Sequence, residues 1–162
     1  GSSLDLGSVI KASTAISGEI GLAGLLKTMM GIVLESAGAQ YGAFLSEIDG
    51  TWQVRASGAA DGEIVVSDSS GPQESLVPEA AVRFVARTRE RLLVADVDAD
   101  ERLRSDPYVV REQPRSLLCL PILDRGQLTG MLYLDHRESE GAFTDDRIAV
   151  LELLSEIGRA HV

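Results

Sequence analysis

The chain contains a single cysteine, Cys119, so it can form no internal disulfide and no thiolate metal cluster of its own. That usage fits a reducing compartment, and a cytoplasmic location is expected. Lysine is nearly missing. Of fifteen basic residues only Lys11 and Lys27 are lysines, and twenty-five acidic residues bring the formal net charge to −10. Such a balance repels phosphate backbones, because nucleic-acid binding depends on clustered Lys and Arg displacing counterions. No nucleic-acid partner is expected. Aromatic residues make up only 4% of the chain, so a core must rest on Leu, Val, Ile and Ala. Apolar runs stay far short of the ~20 residues a membrane span needs, and no basic-then-apolar leader opens the chain. Neither membrane contact nor secretion is expected. No phosphate loop, Ser-His-Asp set or nucleophile elbow is present. The expectation is a domain that senses or connects, with no enzymatic activity and no cofactor.

What is present suffices for one domain. The 162 residues are 44% hydrophobic, enough to bury a core without metal or disulfide. Gly1-Ser2 reads as a tag remnant. Leu6, Val9, Ile10, Ser13 and Ile16 recur at helical spacing. Gly18 is expected to break that run, leaving residues 1–20 as a connecting helix and residues 21–162 as the domain. Helical spacing resumes from Ile20 to Ala37, with Met29 and Met30 as core filling and Gly38 placed to cap the end. Two β-rich runs, Gly42–Ile48 and Thr51–Ser57, flank Asp49-Gly50, a dipeptide suited to a type I′ turn. A glycine-rich loop to Gln73 carries a short strand at Ile64–Val66. Pro78 opens a helix to Thr88, and Leu92–Val94 reads as a strand.

From Ala95 to Pro114 the chain reads as an irregular, charged loop with one helical turn at most, and a loop of that length inside a domain is usually functional. Two strands follow, Ser116–Leu123 and Gln127–His136. Their apolar runs do not alternate with polar residues, which places them centrally with both faces covered. Thr144, followed by Asp145 and Asp146, opens a final helix through Ile148, Leu151, Leu154 and Ile157. With nothing to cap it at Val162, that helix is expected to run on into an output region. The fold class is therefore mixed α/β (α+β): an antiparallel sheet of about six strands with helices on both faces.

The groups that could carry chemistry read as bland. Asp96, Asp98, Asp100 and Glu101 invite a calcium reading, but the EF-hand pattern needs Gly and Glu where Glu101 and Pro107 stand. No metal site is expected. His136, at a strand end beside Arg137 and Glu138, reads as a surface histidine, and His161 has no ligand cluster near it. Cys119 lies mid-strand and reads as a buried thiol.

The stretch "RSLLCLPILDRGQLTGMLYLDHRESEGAFTDDRIAVLELL" resembles the closing unit of a GAF domain, a PAS-like sensing module of signalling proteins. Leu120-Pro121 and Gly130 are its markers. "AGAQYGAFLSEIDGTWQVRASG" is similar to the family's first hairpin, and "VARTRERLLVADVDADERL" to its pocket helix and the strand after it. The segment from Leu4 to Leu45 looks like the GAF portion of large bacterial kinases that join a Ser/Thr kinase region, an ATPase-like region and a histidine kinase. The resemblance implies a regulatory domain of a two-component sensor kinase. It also implies a pocket between one sheet face and a lid, with Ala43, Leu45, Val82, Val85, Asp96, Asp98, Tyr108 and Ser116 at the matching ligand-binding positions. The partners it implies are a small-molecule ligand and a second copy, in a homodimer through the terminal helices. A ligand-free dimerisation module is the alternative, and a redox or gas sensor using His136 or Cys119 a weaker one. Bilin-binding members use a Cys-His pair and methionine-sulfoxide-reducing members several cysteines, neither of which is here. The cyclic-nucleotide signature is incomplete, since Arg147 and Ile148 stand where Asp-Glu closes it.

Overall fold

The computed structural model describes residues 6–67 and 75–160. Gly1-Ser2, the end of the glycine-rich loop at Gln73, and Val162 lie outside the described residues, as do the side chains of Leu6, Val9, Ile10, Ile16, Leu154 and Ile157. Among the described residues no helix is long and apolar enough to cross a membrane.

The first helix, α1, runs unbroken over Leu6–Ala37. The expected break at Gly18 is absent. A lone glycine costs a helix only about 1 kcal/mol relative to alanine, too little to stop one of this length. The end at Gly38 is as expected: its φ is 66°, Gly38 N–H donates to Glu35 O at 3.2 Å and Ala39 N–H to Leu34 O at 3.0 Å. Those two bonds satisfy carbonyls that the helix end would otherwise orphan.

Six strands follow as β1 (Tyr41–Ile48), β2 (Thr51–Ala59), β3 (Ile64–Val66), β4 (Leu92–Val94), β5 (Ser116–Asp124) and β6 (Gln127–His136). They form one sheet in the order β3-β2-β1-β6-β5-β4, antiparallel at every pairing. Asp49 and Gly50 join β1 to β2 with φ of 52° and 80°, the signature of the type I′ turn. Between β3 and β4 lies α2 (Glu79–Thr88). Between β4 and β5 the expected irregular loop holds two helical pieces, a 3-10 turn at Val97–Ala99 and α3 (Pro107–Glu112). Asp96 and Asp106 create them, each accepting from the backbone N–H two residues on. The last helix, α4 (Asp145–Ala160), starts after Thr144, whose Oγ1 accepts from Arg147 N–H at 3.4 Å.

The continuous apolar runs of β5 and β6 divide by parity between two cores. Leu117 and Cys119 face α2 and α3, with Ala43, Leu45, Met131 and Tyr133. Leu118, Leu120 and Leu134 face α1 and α4, with Leu34, Ile148 and Leu151. The helix-α1 side is packed closely enough to need glycine at Gly42, where a Cβ would stand 2.8 Å from Leu134 Cδ2 and 3.0 Å from Leu34 Cδ2.

Gly24 within α1 and Gly38 just after it test this reading in opposite directions. At Gly38 an added Cβ would be strained by the positive φ and would meet the Arg147 guanidinium at 2.6 Å. Gly38→Ala is expected to destabilise by about 1–2 kcal/mol in thermal or urea unfolding. At Gly24 nothing lies within 4 Å of the added atom, so Gly24→Ala is expected to stabilise by about 0.5–1 kcal/mol.

Candidate functional site

The sheet face under α2 and α3 collects two buried carboxylates, Asp106 and Asp135. Asp135 lies on β6 at 0% exposure, among apolar neighbours. A carboxylate there costs several kcal/mol unless donors meet it, and two hydroxyls meet its Oδ2. Tyr108 of α3 donates its hydroxyl to Asp135 Oδ2 at 2.6 Å, and Tyr133 of β6 donates to the same oxygen at 2.7 Å. Arg137, just beyond β6, sets its Nε 3.5 Å from Asp135 Oδ1 and donates from Nη2 to the Tyr108 hydroxyl at 3.0 Å. Its Nη1 reaches Glu112 at the end of α3 at 2.8 Å. Burial raises the Asp135 carboxyl above the ordinary range, against the pull of both tyrosines and Arg137. Burial also raises Tyr108, with the Asp135 charge adding to it, and pushes Tyr41 up to about 12.

The aromatic walls come from the same elements. Tyr41 of β1, Tyr108 and Tyr133 stand with ring centroids 5.7–6.3 Å apart, within the range of favourable tilted and edge-to-face contacts. Arg137 lies over Tyr41 at 5.2 Å and Arg111 over Tyr108 at 5.6 Å. Tyr41 donates its hydroxyl to Leu76 O at 2.7 Å. Asp106 fixes the lid's other end. Its Oδ1 accepts from Tyr108 N–H at 2.9 Å and its Oδ2 from Ala80 N–H at 3.0 Å. One carboxylate thus caps α3 and supplies α2 with the cap that Pro78 cannot.

The eight expected ligand-binding residues separate into two groups. Ala43, Leu45, Val82, Val85 and Tyr108 converge in one cluster beneath the lid, none more than 8% exposed. The other three are not brought to it. Asp96 is spent on capping the 3-10 turn, and Asp98 is exposed. Ser116 has the opposite parity to Leu117 on β5, and its Oγ donates to Ser139 O at 2.8 Å and accepts from Ala142 N–H at 3.4 Å. Tyr41, Asp106, Tyr133, Asp135 and Arg137 were missed. The available signal was Asp135 itself, an acid directly after the apolar run Met131–Leu134 on a central strand, where a charge persists only with partners.

On the other sheet face a cavity of about 520 Å³ opens between α1, α4 and the sheet, lined by Leu26, Met30, Phe44, Ile122, Leu132 and Leu151. Arg91 and Glu152 meet at its rim at 3.3 Å. Ile32, Val150 and Leu153 on the same two helices are exposed. Among the described residues no cluster of three His, Cys, Asp or Glu is placed to hold a metal ion. His136 accepts at Nδ1 from the N–H groups of Glu138 and Ser139 at 3.2 and 3.0 Å, so it serves the turn after β6.

The shared oxygen of Asp135 makes a double-mutant prediction. Tyr108→Phe and Tyr133→Phe are each expected to cost about 1–3 kcal/mol in urea unfolding. Together they leave Oδ2 with neither hydroxyl, so the double variant should lose more than the sum of the singles, by at least ~0.5 kcal/mol. Strict additivity would mean that the two hydroxyls do not act on one group.

A family model described as the GAF domain matches residues 21–157. Hybrid signal transduction histidine kinase G of Dictyostelium discoideum is 33% identical over 95 residues, covering 57% of this chain and 3% of that protein. Peroxide stress-activated histidine kinase mak3 of Schizosaccharomyces pombe is 24% identical over 154 residues, covering 93% of this chain and 6% of that protein. The chain thus spans only a few per cent of the length of these curated relatives. Among solved structures, the GAF domain region of a putative membrane protein from Geobacter sulfurreducens superposes with a TM-score of 0.65 at 14% identity, over 87% of this chain and 93% of that one. Type II free methionine-R-sulfoxide reductase from Thermoplasma acidophilum gives a TM-score of 0.61 at 13% identity, over 86% and 90%. At those identities the likeness concerns the fold. The matched family model and the antiparallel sheet with its lid lead to one assignment: the chain belongs to the GAF domain family.

Proposed function

We propose that this chain is a non-catalytic sensory domain of a two-component sensor kinase, bacterial as the sequence resemblance implies. In this reading it takes a small molecule between the sheet and the lid, and α1 and α4 pass the change on within a homodimer. The observation that carries the reading is the hydrogen bond from Tyr108 to Asp135, which ties the lid to a central strand through a buried polar contact. A ligand that alters that contact changes how α3 sits on the sheet. β6 also carries Leu134, which packs on the opposite face toward α1 and α4. The curated relatives are histidine kinases, which supports a regulatory role beside kinase regions.

The non-catalytic part of the proposal is supported by Cys119. Two neighbours of the same fold are free methionine-R-sulfoxide reductases, and sulfoxide reduction by thiols needs an accessible thiolate. Here the single cysteine is fully buried, and burial pushes its thiol up to about 12. The same facts weigh against a redox sensor built on Cys119, and the engaged Nδ1 weighs against a gas sensor on His136. A ligand-free dimerisation module is the second reading. It is favoured by the filling of the site with its own side chains and by the exposed Ile32, Val150 and Leu153.

A thermal-shift panel of cyclic nucleotides, amino acids, small carboxylates and simple aromatics separates the two. A specific ligand at a hundredfold excess over its Kd stabilises by about 2.7 kcal/mol, which raises the melting temperature by several degrees. A flat response across the panel would favour the ligand-free module.

A further inference from the structure

Tyr108 sits as a bound ligand would. It is 1% exposed, its ring lies against Tyr41 and Tyr133 at 6.0 and 5.7 Å, and its hydroxyl ends on the buried carboxylate. Yet it reaches this place from the lid. Tyr41 lies on β1, Tyr133 and Asp135 on β6, and Arg137 directly after β6, so the walls of the slot belong to the sheet and the occupant does not.

We infer that the slot filled by Tyr108 is a ligand-recognition subsite for a flat ring bearing a hydroxyl, a phenol in chemical class, and that Tyr108 occupies it as an intramolecular surrogate. This rests on the sensory reading above and names its ligand chemistry. The Tyr108 oxygen has two simultaneous roles: it donates to Asp135 Oδ2 and accepts from Arg137 Nη2. Whatever displaces it must do both from one atom. An ammonium donates but has no lone pair to accept. A carboxylate accepts from Arg137 but brings a second negative charge against Asp135. An amide divides donor and acceptor between two atoms, whereas Asp135 and Arg137 converge on one. A hydroxyl meets both demands. The two tyrosine rings then select a flat aromatic body, which gains from tilted and edge-to-face contacts at these distances. Because Tyr108 competes from within the chain, a free phenol binds the unmutated domain only through the fraction with the slot open, and its apparent affinity falls by that fraction.

The test uses the whole 162-residue chain, with phenol and toluene as matched probes in calorimetric titrations. Tyr108→Ala empties the slot. The expected result is that Y108A binds phenol at least tenfold more tightly than toluene, and at least tenfold more tightly than the unmutated chain binds phenol. Equal affinity of Y108A for the two probes would overturn the inference by showing a merely apolar hole. Should Y108A fail to fold, hydrogen exchange on the unmutated chain decides. Faster exchange at the Val110 and Gln113 amides of the lid with phenol but not with toluene supports the surrogate. No change, or the same change with both, overturns it. If another class from the thermal panel stabilises the unmutated chain while phenol binds neither form, the phenol assignment falls and the sensory reading stands. If no compound binds either form, both fall.

Discussion

A carboxylate buried on a central strand has to be met by donors, and the lid's placement follows from how Asp135 meets that demand. Its own strand supplies Tyr133. The second hydroxyl comes from Tyr108, twenty-seven positions away along the chain, so satisfying the charge brings α3 down onto the sheet. Arg137 closes the arrangement by bridging Tyr108 and Glu112, both on α3. Replacing such a cluster with apolar side chains is often neutral for stability, while removing one member is costly. Its particular effect here is to attach α3 to β6 through a chemically defined contact point.

The sheet makes that point mechanically relevant. β6 lies between β1 and β5 in the middle of the strand order, and its residues alternate between the two cores. Tyr133 and Asp135 face the lid, while Leu134 between them packs against Leu34 of α1 in the space that Gly42 leaves open. A change at the lid and a change at the helices therefore act on adjacent residues of one strand. Packed interfaces of this kind shift between discrete arrangements more readily than they deform continuously.

Much of the fold was legible because it rests on local signals. The parity of Leu117 to Leu120, the Asp49-Gly50 turn and the Gly38 cap are each decided by a few neighbouring residues, and each behaves as its chemistry dictates. Gly18 misled because a single glycine weakens a helix without ending it, and the adjoining residues continue one. The site was less legible because its polar anchor is tertiary. Nothing local to Tyr108 indicates that its hydroxyl meets Asp135, and nothing local to Asp106 indicates that it caps α2 as well as α3. Family position placed Ala43, Leu45, Val82, Val85 and Tyr108 together. It could not tell that Ser116 has the opposite parity, or that Asp96 is consumed by its own turn.

The most direct test of the account is amide hydrogen exchange in Asp135→Asn, which keeps the side chain's shape and removes its charge. If the carboxylate holds the lid to the sheet, the Val110 and Gln113 amides, bonded within α3 to Asp106 O and Val109 O, should lose protection about tenfold or more. The β1, β5 and β6 amides should keep theirs. Unchanged protection in α3, or an equal loss across α3 and the central strands, would contradict the claim that Asp135 fixes the lid.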